Sequence, residues 1–387
     1  MSRLKHLARL EYGDALAADQ RTDGEFPVFG SNGQVGTHDQ SNTKGPVILV
    51  GRKGSFGKVT WSETPGFCID TAYFIDERSA YGDMRFTYYA LQALCLNDVS
   101  RDTGIPGLSR EDAHNRSLII PSIDKQKELA AYLDGETNRI DDLIAEKNSF
   151  NDLLREKRIA AISHAVTKGI DKNAPMKPSS QDWLGDVPDH WDAVRLGVIF
   201  KEANRIGSSD LPVLSVSIHA GVSDEEIANE DRDRKVALSE DRSKYQGVMP
   251  GDLVYNMMRA WQGAFGAVAS EGLVSPAYVV ARPVSDARTK FIELQLRTPQ
   301  AIEEMRRYSK GIADFRMRLY WEHFRNVAVA LPPLDEQDAI LKHIDRETNR
   351  IDSLIHETEC SIALLKEKRT ALITAAVTGK IDVRSAA

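Results

Sequence analysis

The chain carries one long segment twice. Pro121 to Asp171 reads PSIDKQKELAAYLDGETNRIDDLIAEKNSFNDLLREKRIAAISHAVTKGID, and Pro332 to Asp382 reads PPLDEQDAILKHIDRETNRIDSLIHETECSIALLKEKRTALITAAVTGKID. The copies align without a gap at a constant offset of 211 residues, with about half their positions identical. Glu136-Thr-Asn-Arg-Ile-Asp141 recurs intact as Glu347 to Asp352, and Glu156-Lys-Arg158 as Glu367-Lys-Arg369. A duplication of this length divides the chain into head, helix, head, helix: residues 1–120, 121–171, 172–331 and 332–387.

Each copy reads as one helix. Asp124 and Asp335 follow proline-containing segments and can cap a first turn, and no proline interrupts either copy afterwards. Leu129, Leu133, Ile140, Leu143, Phe150, Leu154 and Ala161 approximate a heptad seam. Ile340, Ile344, Ile351, Leu354, Leu365 and Leu372 repeat it, with Thr358 and Ser361 weakening the middle. Ile144, Leu153, Ile355 and Leu364 widen the stripe and point to a second packing partner. A rod of about 65 Å cannot bury such a stripe alone, so the copies are expected to pack on each other. An ordinary pair of bundle helices would show the same heptads. The verbatim ETNRID run, expected to be exposed, favours a spacer that also docks partners through Glu136, Asn138, Arg139, Asp141, Glu347, Asn349, Arg350 and Asp352.

The heads show short apolar runs between Gly, Asn, Asp and Pro, the pattern of mixed α/β domains. They resemble each other weakly: Gly45–Val59 parallels Gly251–Val268, and Thr71-Ala-Tyr-Phe74 parallels Pro276-Ala-Tyr-Val279. Their loops hold side chains able to address base edges, since Arg and Lys suit guanine, and Asn and Gln suit adenine. In the first head these are Ser31, Asn32, Gln34, Arg52, Lys53 and Lys58; in the second they are Arg259, Trp261, Gln262, Lys310, Arg316, Arg318 and Tyr320. The alternative for each is a solvated loop or surface strand. Asp224 to Lys244, rich in both signs, reads as a solvated face or insertion.

Composition excludes more than it assigns. No run of about 18 apolar residues exists, so no membrane helix is expected. The first residues lack the apolar core of a secretion signal, and three scattered cysteines (Cys68, Cys95, Cys360) fit a reducing cytoplasm. The net charge of -7 counts against nucleic-acid binding unless the basic residues are clustered or a partner supplies phosphate contacts. Gly51-Arg-Lys-Gly-Ser-Phe-Gly57-Lys58 has one residue too many between glycines for a P-loop, and Val59 stands where a hydroxyl is needed. No Asn/Asp-Pro-Pro-aromatic methyltransferase motif, Glu-x-Lys nuclease pattern, HExxH or GxSxG occurs, and no metal site is expected. A non-catalytic protein follows.

The ETNRIDxLI, LLxEKRxAxI and AVTxxID runs of both copies, with Leu331-Pro-Pro-Leu-Asp-Glu-Gln337, resemble the specificity subunits of type I restriction–modification systems. Asp182-Trp-Leu-Gly-Asp-Val-Pro-Asp-His-Trp191 resembles the lead-in to that family's target-recognition domains; the first head opens at Met1 without one. The resemblance implies an α+β chain with pseudo-twofold tandem duplication, in which two target-recognition domains are separated by helices forming an antiparallel coiled coil. Each head would read half of a split double-stranded DNA target in the major groove. Two methyltransferase (modification) subunits would dock along the helices and two restriction subunits would complete a nuclease. S-adenosylmethionine, ATP and Mg2+ would then reside on partners, with no cofactor in this chain. The alternatives are a specificity subunit serving a methyltransferase without a nuclease, and a coiled-coil adaptor that does not bind DNA.

Overall fold

The proline-free repeats form helices at Ile123–Lys168 and Leu334–Val377 in a computed structural model that describes residues 2–98, 107–218, 221–223, 242–311 and 317–381. Asp124 and Asp335 lie inside the first turns, two residues past the cap positions Ser122 and Pro333, where a carboxylate still favours the unsatisfied N–H groups. The chain divides into two compact units: residues 1–149 with 357–387, and residues 150–356. Each unit therefore owns one head, part of one helix and the complementary part of the other.

In the first unit a four-stranded antiparallel sheet runs in the order Glu11–Tyr12, Ala72–Ile75, Val47–Gly51, Val59–Ser62. In the second the order is Phe200–Ala203, Tyr278–Pro283, Leu253–Asn256, Phe265–Ala267, again antiparallel throughout. The last three strands of each order overlap the weakly similar segments of the two heads. A further pairing ties off each head at the foot of its helix: Ser2–Arg3 with Ser117–Leu118, and Asp192–Arg195 with Ala328–Leu331.

Each head packs on both helices. Leu7, Ile48, Tyr73, Phe86 and Tyr89 share a core with Leu129 and Leu133 of the first helix and Ile373, Ala376 and Val377 of the second. In the second unit Trp191, Phe200, Tyr255 and Phe291 share one with Ala165, Val166, Ile340 and Ile344. The duplication extends to single hydrogen bonds. Gln126 Oε1 accepts from Asp83 N–H at 2.8 Å while its Nε2 donates to Pro121 O at 2.9 Å. Gln337 does the same with Arg288 N–H and Pro332 O, both at 2.8 Å. Asp83 and Arg288 each precede a head helix (Met84–Ala93 and Thr289–Leu296), so one buried amide satisfies its orphan N–H.

The helices pack antiparallel within each unit, since Leu129 and Leu133 cluster with Ile373–Val377 while Asp141 meets Arg369. The seam differs from the expected one. It passes through Thr137, Ile140, Ile144, Lys147, Asn151, Leu154, Arg158 and Ala161, buried or half-buried at a strict alternation of three and four residues. Leu143 and Phe150 are instead 45% and 46% exposed, and Leu354 is 37% exposed. Thr137 explains the shift. Its hydroxyl donates to Leu133 O at 2.7 Å, as Thr348 does to Ile344 O at 2.9 Å, so a polar residue occupies the seam at little cost. Omitting it moves the phase by one residue. Leu153 and Leu364, which widen the stripe, are 60% and 65% exposed.

Candidate nucleic-acid interface

Three loops of the first head meet at one end of its sheets. The Phe26–Gly30 and Gly33–His38 strands are joined through Ser31 and Asn32, with Gly33 at φ 116°. Ser31 N–H donates to Thr71 Oγ1 at 3.3 Å; Arg52 and Lys53 N–H both donate to Thr71 O, at 2.9 and 3.1 Å. Gly57 closes the basic loop at φ 76°, donating to Gly51 O at 2.8 Å; a Cβ here would stand 2.4 Å from Asn97 N. Lys58 Nζ reaches across to both Asn32 O and Asn32 Oδ1 at 2.8 Å.

Ser31, Asn32, Arg52, Lys53 and Lys58 are thus brought together, and their side chains divide by role. Lys53 and Asn32 are exposed. Gln34 is also exposed, further along its strand, with Nε2 donating to Gly36 O at 3.4 Å. Arg52 is half-buried: Nη1 donates to Asp70 O at 3.0 Å and its guanidinium lies 5.0 Å over the Tyr12 ring. Arg110, which no sequence pattern marks, lies 4.6 Å over that same ring. Among the described residues none of Arg52, Lys53, Lys58 and Arg110 has a carboxylate partner. Other arginines are paired internally, as in Arg9–Glu11, Arg85–Asp134 and Arg288–Asp338. A chain of net charge -7 therefore keeps a locally cationic edge.

The second head repeats the arrangement with different chemistry. Arg259 precedes the Ala260–Gln262 turn, which Gly263 closes at φ 92°. Trp261 Nε1 donates to Met258 O at 3.0 Å, and Arg306 lies 5.6 Å over its ring. Lys310 and Arg318 exchange backbone hydrogen bonds at 2.9 Å, and Leu319 N–H donates to Met257 O at 2.9 Å. That links the exposed Lys310, Arg318 and Tyr320 to the Arg259–Gln262 loop. Arg316, and most of Asp224–Lys244, lie outside the described residues.

The ETNRID runs are only partly exposed, a correction to the expectation above. Thr137, Ile140, Thr348 and Ile351 are buried in the seam. Asn138, Arg139, Asn349 and Arg350 are exposed; Arg139 Nη1 donates to Glu136 Oε1 at 2.9 Å, and Arg346 lies 4.0 Å from Glu347. Asp141 and Asp352 accept from Arg369 and Arg158 of the opposite EKR runs. Part of the verbatim repeat is thus explained by the two copies holding each other.

The lead-in of the second head folds as a hairpin, Met176–Pro178 with Asp186–Pro188. It ends on Trp191, which is fully buried and donates Nε1 to Glu336 Oε1 at 3.1 Å, while His190 lies 2.7 Å from Glu336 Oε2. The first helix carries Lys125 at the place of Glu336.

Among the described residues no group of His, Cys, Asp or Glu could hold a metal ion, and no helix is long and apolar enough to cross a membrane. Burial, aided by Asp14, pushes the Cys68 thiol up to about 12. Burial and a hydrogen bond to Asp134 push Tyr89 up to about 12 as well. Both groups are neutral packing elements at ordinary pH.

Each unit thus places a four-stranded sheet and a polar loop cluster on an antiparallel pair of helix segments. Residues 1–149 match the family model of the type I restriction modification DNA specificity domain. The chain is 22% identical to the type I restriction enzyme EcoBI specificity subunit of Escherichia coli, over 87% of this chain and 74% of that protein. It is 23% identical to the MjaVIII specificity subunit of Methanocaldococcus jannaschii over 34% of this chain and 30% of that protein. A chain in a solved structure of the type I R-M system has the same fold, with TM-score 0.66 and 14% identity over 98% of this chain and 97% of that one. Residues 1–149 thus match a type I restriction modification DNA specificity domain, and the chain is similar over most of its length to the specificity subunits of type I restriction–modification systems.

Proposed function

We propose that each head reads one half of a bipartite duplex target, with Lys53, Lys58 and Asn32 at the first half and Arg259, Gln262, Lys310 and Arg318 at the second. The observation that carries this reading is the repeated sheet, which brings a distinct loop cluster to the same place in each head. Similar scaffolds with different loop side chains suit a protein that reads two unlike half-sites. Methyltransferase subunits would dock on the exposed Asn138, Arg139, Asn349 and Arg350, bringing S-adenosylmethionine. Restriction subunits would bring ATP and Mg2+, and this chain would contribute no catalytic group. Genome-wide mapping of methylated sites after replacing residues 1–120 with another family member's first head tests it. One altered half-site supports the reading; two altered halves refute it.

A further inference from the structure

We propose that Arg110 and Arg52, held over Tyr12, form a phosphate-binding clamp on the DNA backbone beside the first half-site. The inference rests on the DNA-reading role and adds residues that neither the sequence motifs nor the basic loop indicate.

Tyr12 lies on the edge strand of the four-stranded sheet and is 45% exposed. Two guanidinium groups lie over its ring, Arg110 at 4.6 Å and Arg52 at 5.0 Å from the centroid. They are no further apart than the sum of those distances, and neither meets a carboxylate among the described residues. Two like charges gathered without a counter-charge repel each other, and the ring's quadrupole offsets only part of that. A bridging anion would remove the rest. His114 lies in the field of Arg110 as well: after burial, Arg110 and Arg9, and more weakly Lys5, hold its pKa below the ordinary value against the opposing Glu11 carboxylate.

The geometry favours a phosphate over a base edge. Arg52 already spends Nη1 on Asp70 O, and the Tyr12 and Tyr73 rings restrict its reach. A bidentate reader of guanine needs an extended, unencumbered fork, whereas a phosphate accepts one N–H from each of two fixed arginines. The clamp is also continuous with the reading loop, because Arg52 is its first residue and Leu108 N–H, two residues before Arg110, donates to Arg52 O at 2.8 Å. A phosphate held there would set how deeply Lys53 enters the groove.

The test uses the full chain assembled with its co-expressed partner subunits. Binding to matched and unmatched duplexes is measured over a salt series for Arg110→Gln, Arg110→Lys, Tyr12→Leu and Tyr12→Phe. Arg110→Gln should weaken both duplexes by the same factor and make the log–log salt slope shallower by about one. Arg110→Lys should restore the slope. Tyr12→Phe should behave as the parent, and Tyr12→Leu should lose affinity on both duplexes. An unchanged slope in Arg110→Gln, or a loss confined to one base pair of the matched site, would overturn the clamp while leaving DNA reading intact. Failure of the unsubstituted complex to bind any duplex would overturn both.

Discussion

The Arg158 guanidinium is bonded to the Asp352 carboxylate, Nε to Oδ1 at 3.1 Å, and the same two positions of the repeat meet again as Arg369 and Asp141 at 3.0 Å. Each pair joins the EKR run of one copy to the ETNRID run of the other. Arg158 and Asp352 are half exposed, so solvent screens their attraction, and a double-mutant cycle should return roughly 0.2–1 kcal/mol. Arg369 is less exposed and also donates Nη1 to Gln92 Oε1 at 3.2 Å. Arg369→Ala should therefore destabilise the first unit more than Arg158→Ala destabilises the second. Equal effects in chemical denaturation would show that the Gln92 contact contributes nothing.

The end of the second helix is core rather than tail. Ile373, Ala376 and Val377 are at most 5% exposed among the side chains of the first head. Ile373→Ala should cost about 2–5 kcal/mol, the range for emptying a buried aliphatic site. Leu364→Ala, at a position 65% exposed, should stay within about 0.5 kcal/mol in the isolated chain. Thermal unfolding should show the Ile373 loss in a transition assigned to the first unit. A uniform shift of both units would mean that the helix end stabilises them in common.

Helix existence, order and duplication follow from pattern, because a gapless repeat and a proline-free heptad run are one-dimensional facts. The seam phase does not, because Thr137 and Thr348 are polar yet buried, their hydroxyls spent on the preceding turn. Nor could the ion pairs be read, since Asp141 and Arg369 are far apart in sequence. At the site, Lys53, Lys58 and Asn32 are local to recognisable loops, whereas Arg110 reaches Tyr12 only through the fold of the first head.

His114 makes the first head sensitive to acid. Its Nε2 accepts from Leu10 N–H at 3.0 Å, which requires the neutral ring. Burial first, then Arg110, Arg9 and Lys5, lower its pKa in the fold from the ordinary imidazole value of 6.5, with Glu11 opposing them. The unfolded chain therefore binds a proton first as pH falls. The stabilising contribution is complete above 6.5 and is lost as pH drops through the lower, folded-state value. His114→Gln removes that titration, so its denaturation midpoint should change less across this window. Parallel curves for the two proteins would sink the assignment.

Lys53→Ala and Arg259→Ala test the two reading loops separately. Neither side chain meets a carboxylate among the described residues, so little folding energy should be lost. Each should weaken duplex binding by the assembled complex, by about 1–3 kcal/mol where a bidentate base contact is lost. A changed preference at one base pair identifies base reading, whereas a uniform loss with a shallower salt slope identifies a phosphate. Unchanged binding in both variants would remove these loops from the interface.

The helices also offer a test of whether they measure the distance between half-sites. Insertion of four residues after Thr167 is the obvious variant, but Ala165 and Val166 are already buried in the second unit's core. Added residues there would lengthen only the connection that follows and leave the helix-to-head contact in place, so the preferred DNA spacer should not change. A decisive variant must lengthen both helices between their head contacts. Seven residues added after Ser149 and seven after Cys360, equivalent points of the repeat, preserve the three–four seam alternation and add about 10 Å to each rod. About three base pairs of duplex span that distance at 3.4 Å each. Mapped methylation sites should then keep both half-site sequences and gain a longer spacer between them. An unchanged spacer with full activity would show that the helices hold partners without measuring DNA.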